Sequence, residues 1–153
     1  MLSFDANLLL YAAHPGCPEN RAAVEFLNSQ TGRDDIAISE FILVELYILV
    51  RNPAVFERPL DGVEAAALVE SYRHHPRWMI VGYPSESRTV HDRMWQIVSS
   101  KKFPRRRIID IRTAFSLQEN GVKDFATANI KDFQELGFRR VWNPLERNGL
   151  QRG

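Results

Sequence analysis

The feature that most limits the possible folds is an alternation. Short apolar runs of strand length (LSF at 2–4, DIAIS at 35–39, WMIVGY at 78–83, VKDFAT at 122–127 and FRRVW at 138–142) are separated by longer stretches with helical periodicity. Strands that alternate with helices are joined by crossovers, which yields a mostly parallel sheet with helices on both faces. The reading is α/β, with a sheet of four to five strands. In such sheets ligands bind beyond the carboxyl ends of the strands.

The helical stretches carry their own stop signals. Residues 20–30 end at Thr31-Gly32, and Ser39 is placed to cap a helix through EFILVELYILVRN that Pro53 stops. Residues 61–75 and SESRTVHDRMWQIVSS are further helices, the second with Val90, Met94 and Ile97 at helical spacing. IIDIRTAFSLQENG ends at Gly121, and NIKDFQELG is a turn or short helix.

At 153 residues the chain makes one domain, taken as 1–145 followed by a polar tail at 146–153. Lys and Arg number 20 against 19 Asp and Glu, a formal net charge of +1. That excludes a uniformly basic nucleic-acid coat but says nothing of local clusters. The single cysteine, Cys17, excludes an intramolecular disulfide and a cysteine zinc site. No apolar run approaches the ~20 residues of a membrane span, so no membrane partner is expected and the protein is read as cytoplasmic.

Three carboxylates sit among apolar neighbours. Asp5 follows a strand and precedes LLLYAA, Glu45 is embedded in FILVELYILV, and Asp110 lies in RIIDIRTAF. A buried ionised carboxylate without a partner is costly, so each calls for a cation. Each also has an ordinary reading. Asp5 can be a helix N-cap, Glu45 can face solvent, and Asp110 can pair with Arg106, Arg107 or Arg112. Taken as a set at one sheet edge, they make an oxygen-only site suited to Mg2+ or Mn2+ and not to zinc. His14, His74, His75 and His91 form no ligand pair and read as surface residues.

FDANLLLYA, ISEFILVELYILVRNP, RIIDIRTAFSLQENG and FATANIKDF, in that order, resemble the PIN domain family. Within it they are most similar to the VapC-like toxins of bacterial type II toxin–antitoxin systems. The resemblance spans Leu2 to about Leu145. It implies a three-layer α/β/α sandwich and a Mg2+- or Mn2+-dependent endoribonuclease. It also implies a VapB-like antitoxin as partner, bound in a groove near the acidic site between residues 41–50 and the 55–75 helices, and a homodimer. Asp5, Glu45 and Asp110 match the family's acids as catalytic and metal-binding residues. The fourth acid is replaced by Asn129 in Thr127-Ala128-Asn129, which favours one tightly held metal over two. Asp132 is a possible fourth acid. Asp124 lies at the start of its strand, away from the catalytic edge. Asn7, Ser39 and Thr127 match positions that shape the site.

Asp5 and Asp110 are expected as the principal ligands, Glu45 as a water-mediated ligand or proton acceptor, and Asn129 as an orienting group. The basic stretch at 101–107 is the candidate RNA-binding segment: Lys101, Lys102, Arg105, Arg106 and Arg107, with Arg112 beyond it and Phe103 as a base-stacking candidate. The alternatives are a degenerate PIN domain that binds RNA or protein without cutting, which Asn129 keeps open, and a phosphoaspartate protein. The second would need paired acids at the first strand, where this chain has Asp5-Ala6-Asn7.

Overall fold

Five short strands carry the fold: β1 (Leu2–Phe4), β2 (Ala37–Ser39), β3 (Met79–Val81), β4 (Asp124–Ala126) and β5 (Arg140–Trp142). In the computed structural model, which describes residues 1–146, they pair in parallel throughout. β1, β4 and β5 are neighbours in that order, and β2 pairs with β3. A single parallel bridge between Leu2 and Ile36 joins the two sets, giving the spatial order β3-β2-β1-β4-β5. All five expected strands are present: β1 matches its run, and the other four are shorter than the runs that announced them. Most of the 146–153 tail lies outside the described residues.

Among the described residues seven helices connect the strands: α1 (Ala6–Ala13), α2 (Asn20–Gln30), α3 (Glu40–Val50), α4 (Gly62–Arg73), α5 (Ser87–Val98), α6 (Arg107–Glu119) and α7 (Ile130–Phe133). They pack in two groups. α1 lies against α2 and α3, and α3 against α4; α5 lies against α6, and α6 against α7. Among the described residues no helix is long and apolar enough to cross a membrane.

Local sequence explains the boundaries. Ser39 ends β2 and caps α3, its hydroxyl accepting from the Phe41 amide at 3.1 Å. At α4, Asp61 accepts from the Val63 and Glu64 amides while the Glu64 carboxylate accepts from the Asp61 amide, a complete capping box. α6 closes in a Schellman motif. The Val122 amide donates to the Leu117 carbonyl at 3.0 Å and the Gly121 amide to the Gln118 carbonyl at 2.9 Å, with Gly121 at φ +86°.

The core is continuous from Phe4, Phe125 and Phe115 through Ile36, Ile38, Leu8 and Leu9 to Leu43 and Leu46. Phe4 meets Phe26 and Trp78 edge-on, with ring centroids 5.3 and 5.4 Å apart. Trp78 is buried there, whereas Trp95 is exposed on α5. Phe103, a base-stacking candidate from sequence, is half-buried and packs in part against the core.

Candidate active site

Strand register creates the site. Phe4 is opposite Ala126 in the β1–β4 pair, and the Asp5 amide donates to the Ala126 carbonyl at 2.9 Å. Asp5 and Thr127 therefore leave the sheet side by side at its carboxyl edge. Asp5 holds the N-cap position of α1, but its side chain makes no capping hydrogen bond. Its Oδ2 instead accepts from the Thr127 hydroxyl at 2.6 Å and from Asn7 Nδ2 at 2.9 Å. Thr127 Oγ1 also accepts from the Asn129 amide at 2.9 Å, and Asn7 Oδ1 from the Ala128 amide at 3.3 Å. The segment after β4 is thus tied to the segment after β1. Both side-chain bonds to Asp5 fall on Oδ2, and neither falls on Oδ1.

Three other elements bring acids to the same place. A cavity of about 230 Å³ is lined by Asp5, Asn7, Glu45, Asp110, Asn129 and Asp132. Glu45 comes from α3, Asp110 from α6 and Asp132 from α7. Leu10, Leu49 and Phe133 close its apolar side. Sequence reasoning missed these three, although Leu49 stands one helical turn beyond Glu45 on the same face of α3.

None of the four carboxylates has a salt-bridge partner among the described residues. The protonation of Asp5, Glu45 and Asp110 reflects that. Burial pushes Asp5 up to about 6, against the pull of the Thr127 hydrogen bond and with Asp132 adding to the rise. Burial and then the charges of Asp5 and Asp110 push Glu45 up to about 7. Burial, Asp5 and Asp132 push Asp110 up to about 6, with Arg107 opposing. Each group repels the next, so the cluster titrates as a unit.

The donor set fits a hard divalent cation. It is all oxygen, it lies in a low-dielectric cleft, and its uncompensated negative charge is what a cation would neutralise. Among the described residues no three acidic, imidazole or thiol side chains converge closely enough to grip one ion between them. An ion here would take one or two carboxylates directly and complete its shell with water. A larger hollow of about 590 Å³ lies between α2 and residues 144–146, but there Arg21 and Glu25 satisfy each other at 2.9 Å.

Other sequence candidates fall elsewhere. Ser39 is buried in its capping role and does not line the cavity. Asn129, at the family's fourth acid position, is exposed at the cavity rim, and Asp132 brings a carboxylate in its place. Asp124 opens β4 and pairs with Arg139, at the far end of the sheet. Lys101, Lys102, Arg105 and Arg106 are exposed. Arg107 is half-buried beside Asp110. Arg112 stacks over the Phe41 ring, its Cζ 4.3 Å from the centroid.

No family model matches the chain. It is 44% identical to ribonuclease VapC24 of Mycobacterium tuberculosis over 149 residues, covering 97% of this chain and 100% of that protein. The fold is similar to the crystal structure of M. tuberculosis VapC20, a sarcin–ricin loop cleaving toxin, with a TM-score of 0.60 at 11% identity over 82% of this chain and 87% of that one. It is also similar to FitAcB from Neisseria gonorrhoeae, with a TM-score of 0.62 at 19% identity over 94% and 98% of the two chains.

Proposed function

Because the chain belongs to the VapC family of ribonucleases, we propose that its acidic cavity is a Mg2+- or Mn2+-dependent endoribonuclease site and that the protein is the toxin of a VapBC-type pair. The observation that supports this most strongly is the gathering of Asp5, Glu45, Asp110 and Asp132 in one cavity with no ion-pair partner. A purely structural cluster of this kind would cost stability with no return.

Asp5 Oδ1 and the Asp110 carboxylate would hold the ion. When bound, the ion supplies Lewis acidity that makes a water nucleophilic at neutral pH and offsets charge on the phosphate. Thr127 and Asn7 fix the Asp5 carboxylate so that its free oxygen faces the cavity. Glu45, with its pKa raised to about 7, is suited to accept the proton of the attacking water near neutral pH. Asp132 completes the negative field, and Asn129 at the rim can orient a water or a phosphate oxygen. The apolar wall of Leu10, Leu49 and Phe133 keeps the local dielectric low, which strengthens each of these interactions.

The antitoxin surface on this reading is the α3–α4 face. A groove of about 230 Å³ runs there between Leu43, Val44, Tyr47, Ala66 and Val69. Val44, Ile48 and Val63 are 59%, 61% and 80% exposed, an apolar surface suited to a partner segment. The helix that supplies the second wall, α4, begins at Gly62, and its groove residues are Ala66, Val69 and Glu70. A homodimer is part of the same reading.

The test is Asp5→Asn. Calorimetric titration with Mn2+ and cleavage of an end-labelled RNA should both fall to background while the circular dichroism spectrum is unchanged. A fully active or an unfolded Asp5→Asn protein would contradict the assignment.

A further inference from the structure

A second cavity, of about 270 Å³, opens between α5 and α6 and is lined by Arg93, Phe103, Arg107, Ile111, Phe115 and Glu135, among others. It shares two walls with the acidic cavity. α6 sends Asp110 into one and Arg107 and Ile111 into the other. α7 and the turn after it send Asp132 into one and Glu135 into the other. Arg107 and Asp110 are three residues apart on α6, so their positions differ by ~4.5 Å along the helix axis, just under one turn.

Its two arginines are uncommitted. Neither Arg93 nor Arg107 has a salt-bridge partner among the described residues. Arg107 Nε is buried with no hydrogen-bond partner. Arg93 sits over the Phe115 ring, its Cζ 4.0 Å from the centroid, a contact that holds the guanidinium at the cleft while its N–H groups make no hydrogen bond among the described residues. Glu135 is the one opposing charge and leaves the lining net positive. Two guanidinium groups lining one cleft, with N–H groups unbonded, suit bidentate phosphate recognition. Below them, Ile111 and Phe115 form an apolar floor. The volume is under the roughly 300–1,000 Å³ of small-molecule pockets, which suits one segment of a chain more than a free ligand.

We infer that this cleft holds the phosphate–ribose segment next to the scissile bond, with Arg93 and Arg107 gripping one phosphate and the RNA strand crossing from the acidic cavity over the first turn of α6. The inference rests on the ribonuclease reading and gives the substrate a direction on the surface. Arg93 stands outside the basic 101–107 stretch, on the amphipathic α5, where nothing in the sequence singles it out.

The test uses Arg93→Gln, because Arg93 is solvent-exposed and its loss leaves the core intact. Binding of a fluorescein-labelled single-stranded RNA is measured by anisotropy in the non-cleaving Asp5→Asn background, and cleavage kinetics are measured with Asp5 intact. Arg93→Gln should weaken binding roughly 5- to 20-fold and lower the slope of log K against log salt by about 0.7, the loss of one phosphate contact. KM should rise by a similar factor with kcat within about twofold. Arg93→Lys should restore the salt slope. Arg88→Gln, on the same helix but at a site where Arg88 faces Asp92 at 3.9 Å, should do none of this. Binding and salt slope equal to those of Arg88→Gln would overturn the inference. So would weakened capture of the antitoxin with RNA binding intact, which would make the cleft a protein site. A wild type that cuts no RNA with Mg2+ or Mn2+ would refute the ribonuclease reading instead, and the binding arm, which needs no turnover, would still decide the cleft.

Discussion

The Thr127 hydroxyl donates to Asp5 Oδ2 at 2.6 Å across 122 residues of chain. The bond exists because β1 and β4 are parallel neighbours that end together. It occupies Oδ2 of Asp5, and on the proposed reading Oδ1 is the oxygen left for an ion. Thr127→Val should therefore raise the Asp5 pKa further, cost about 1–3 kcal/mol in metal-bound protein, and reduce Mn2+ affinity roughly 10- to 100-fold. Thr127→Ser should retain most of both. Calorimetric Mn2+ titration of the two variants distinguishes them.

Stability of the metal-free protein should fall as pH rises through the neutral range. In the folded state Asp5 and Asp110 sit near 6 and Glu45 near 7, above the ordinary values of 3.8 and 4.5 that the unfolded chain shows. The folded protein thus binds more protons than the unfolded one between about pH 4 and 7. The stabilisation present below pH 4 is lost as pH passes through 6 to 7. Urea melts in EDTA at pH 5 and pH 8 should show the higher midpoint at pH 5. Saturating Mn2+ should reverse the order, since it binds the ionised carboxylates.

Asp5→Asn should remove part of that penalty. At pH 8 without metal, the variant should be more stable than wild type by about 2–3 kcal/mol, and the difference should shrink towards pH 5. Paired denaturant titrations at the two pH values check this. A variant less stable than wild type at pH 8 would mean that the Asp5 charge is compensated in the free protein.

Asp132 should matter more than Asn129. Asp132→Asn removes a charge from the cavity and should lower cleavage roughly 10- to 100-fold, whereas Asn129→Ala, at the exposed rim, should cost less. Initial rates on one RNA under saturating Mg2+ rank the two.

Gly121 gives a prediction that depends only on the fold. At φ +86°, a Cβ there is strained and would sit 3.4 Å from Met1 Cε. Gly121→Ala should destabilise by about 1 kcal/mol, seen as a lower melting temperature with cleavage at permissive temperature unchanged.

Much of this molecule could be read from the chain. The alternation of apolar runs and helical patterns announced every strand, and Ser39, Gly121 and Asp124 lie where local rules put them. Those rules are short-range: a cap needs its own helix and a stop needs its own glycine. Asp5, Glu45 and Asp110 stood out because apolar neighbours made them expensive. What sequence could not show was convergence. Asp132 joins the site through the turn of α7, and Leu10, Leu49 and Phe133 become a wall only once α1, α3 and α7 are packed. Nor could sequence show how far Phe103 packs on the core, because a loop aromatic looks the same whether it faces solvent or, as here, leans back on the core. Arg93 gave no signal, since an arginine on the polar face of an amphipathic helix is ordinary until a cavity forms beside it.

The most direct measurement of the central claim is a divalent-ion titration of RNA cleavage by EDTA-dialysed protein, run in parallel on wild type and Glu45→Gln. The account predicts no cleavage without added ion and saturable activation by Mg2+ or Mn2+ in the wild type. For Glu45→Gln it predicts a kcat lowered by about 100-fold or more with little change in the half-activating ion concentration. Cleavage that persists undiminished in EDTA, or that ignores Glu45→Gln, would contradict it.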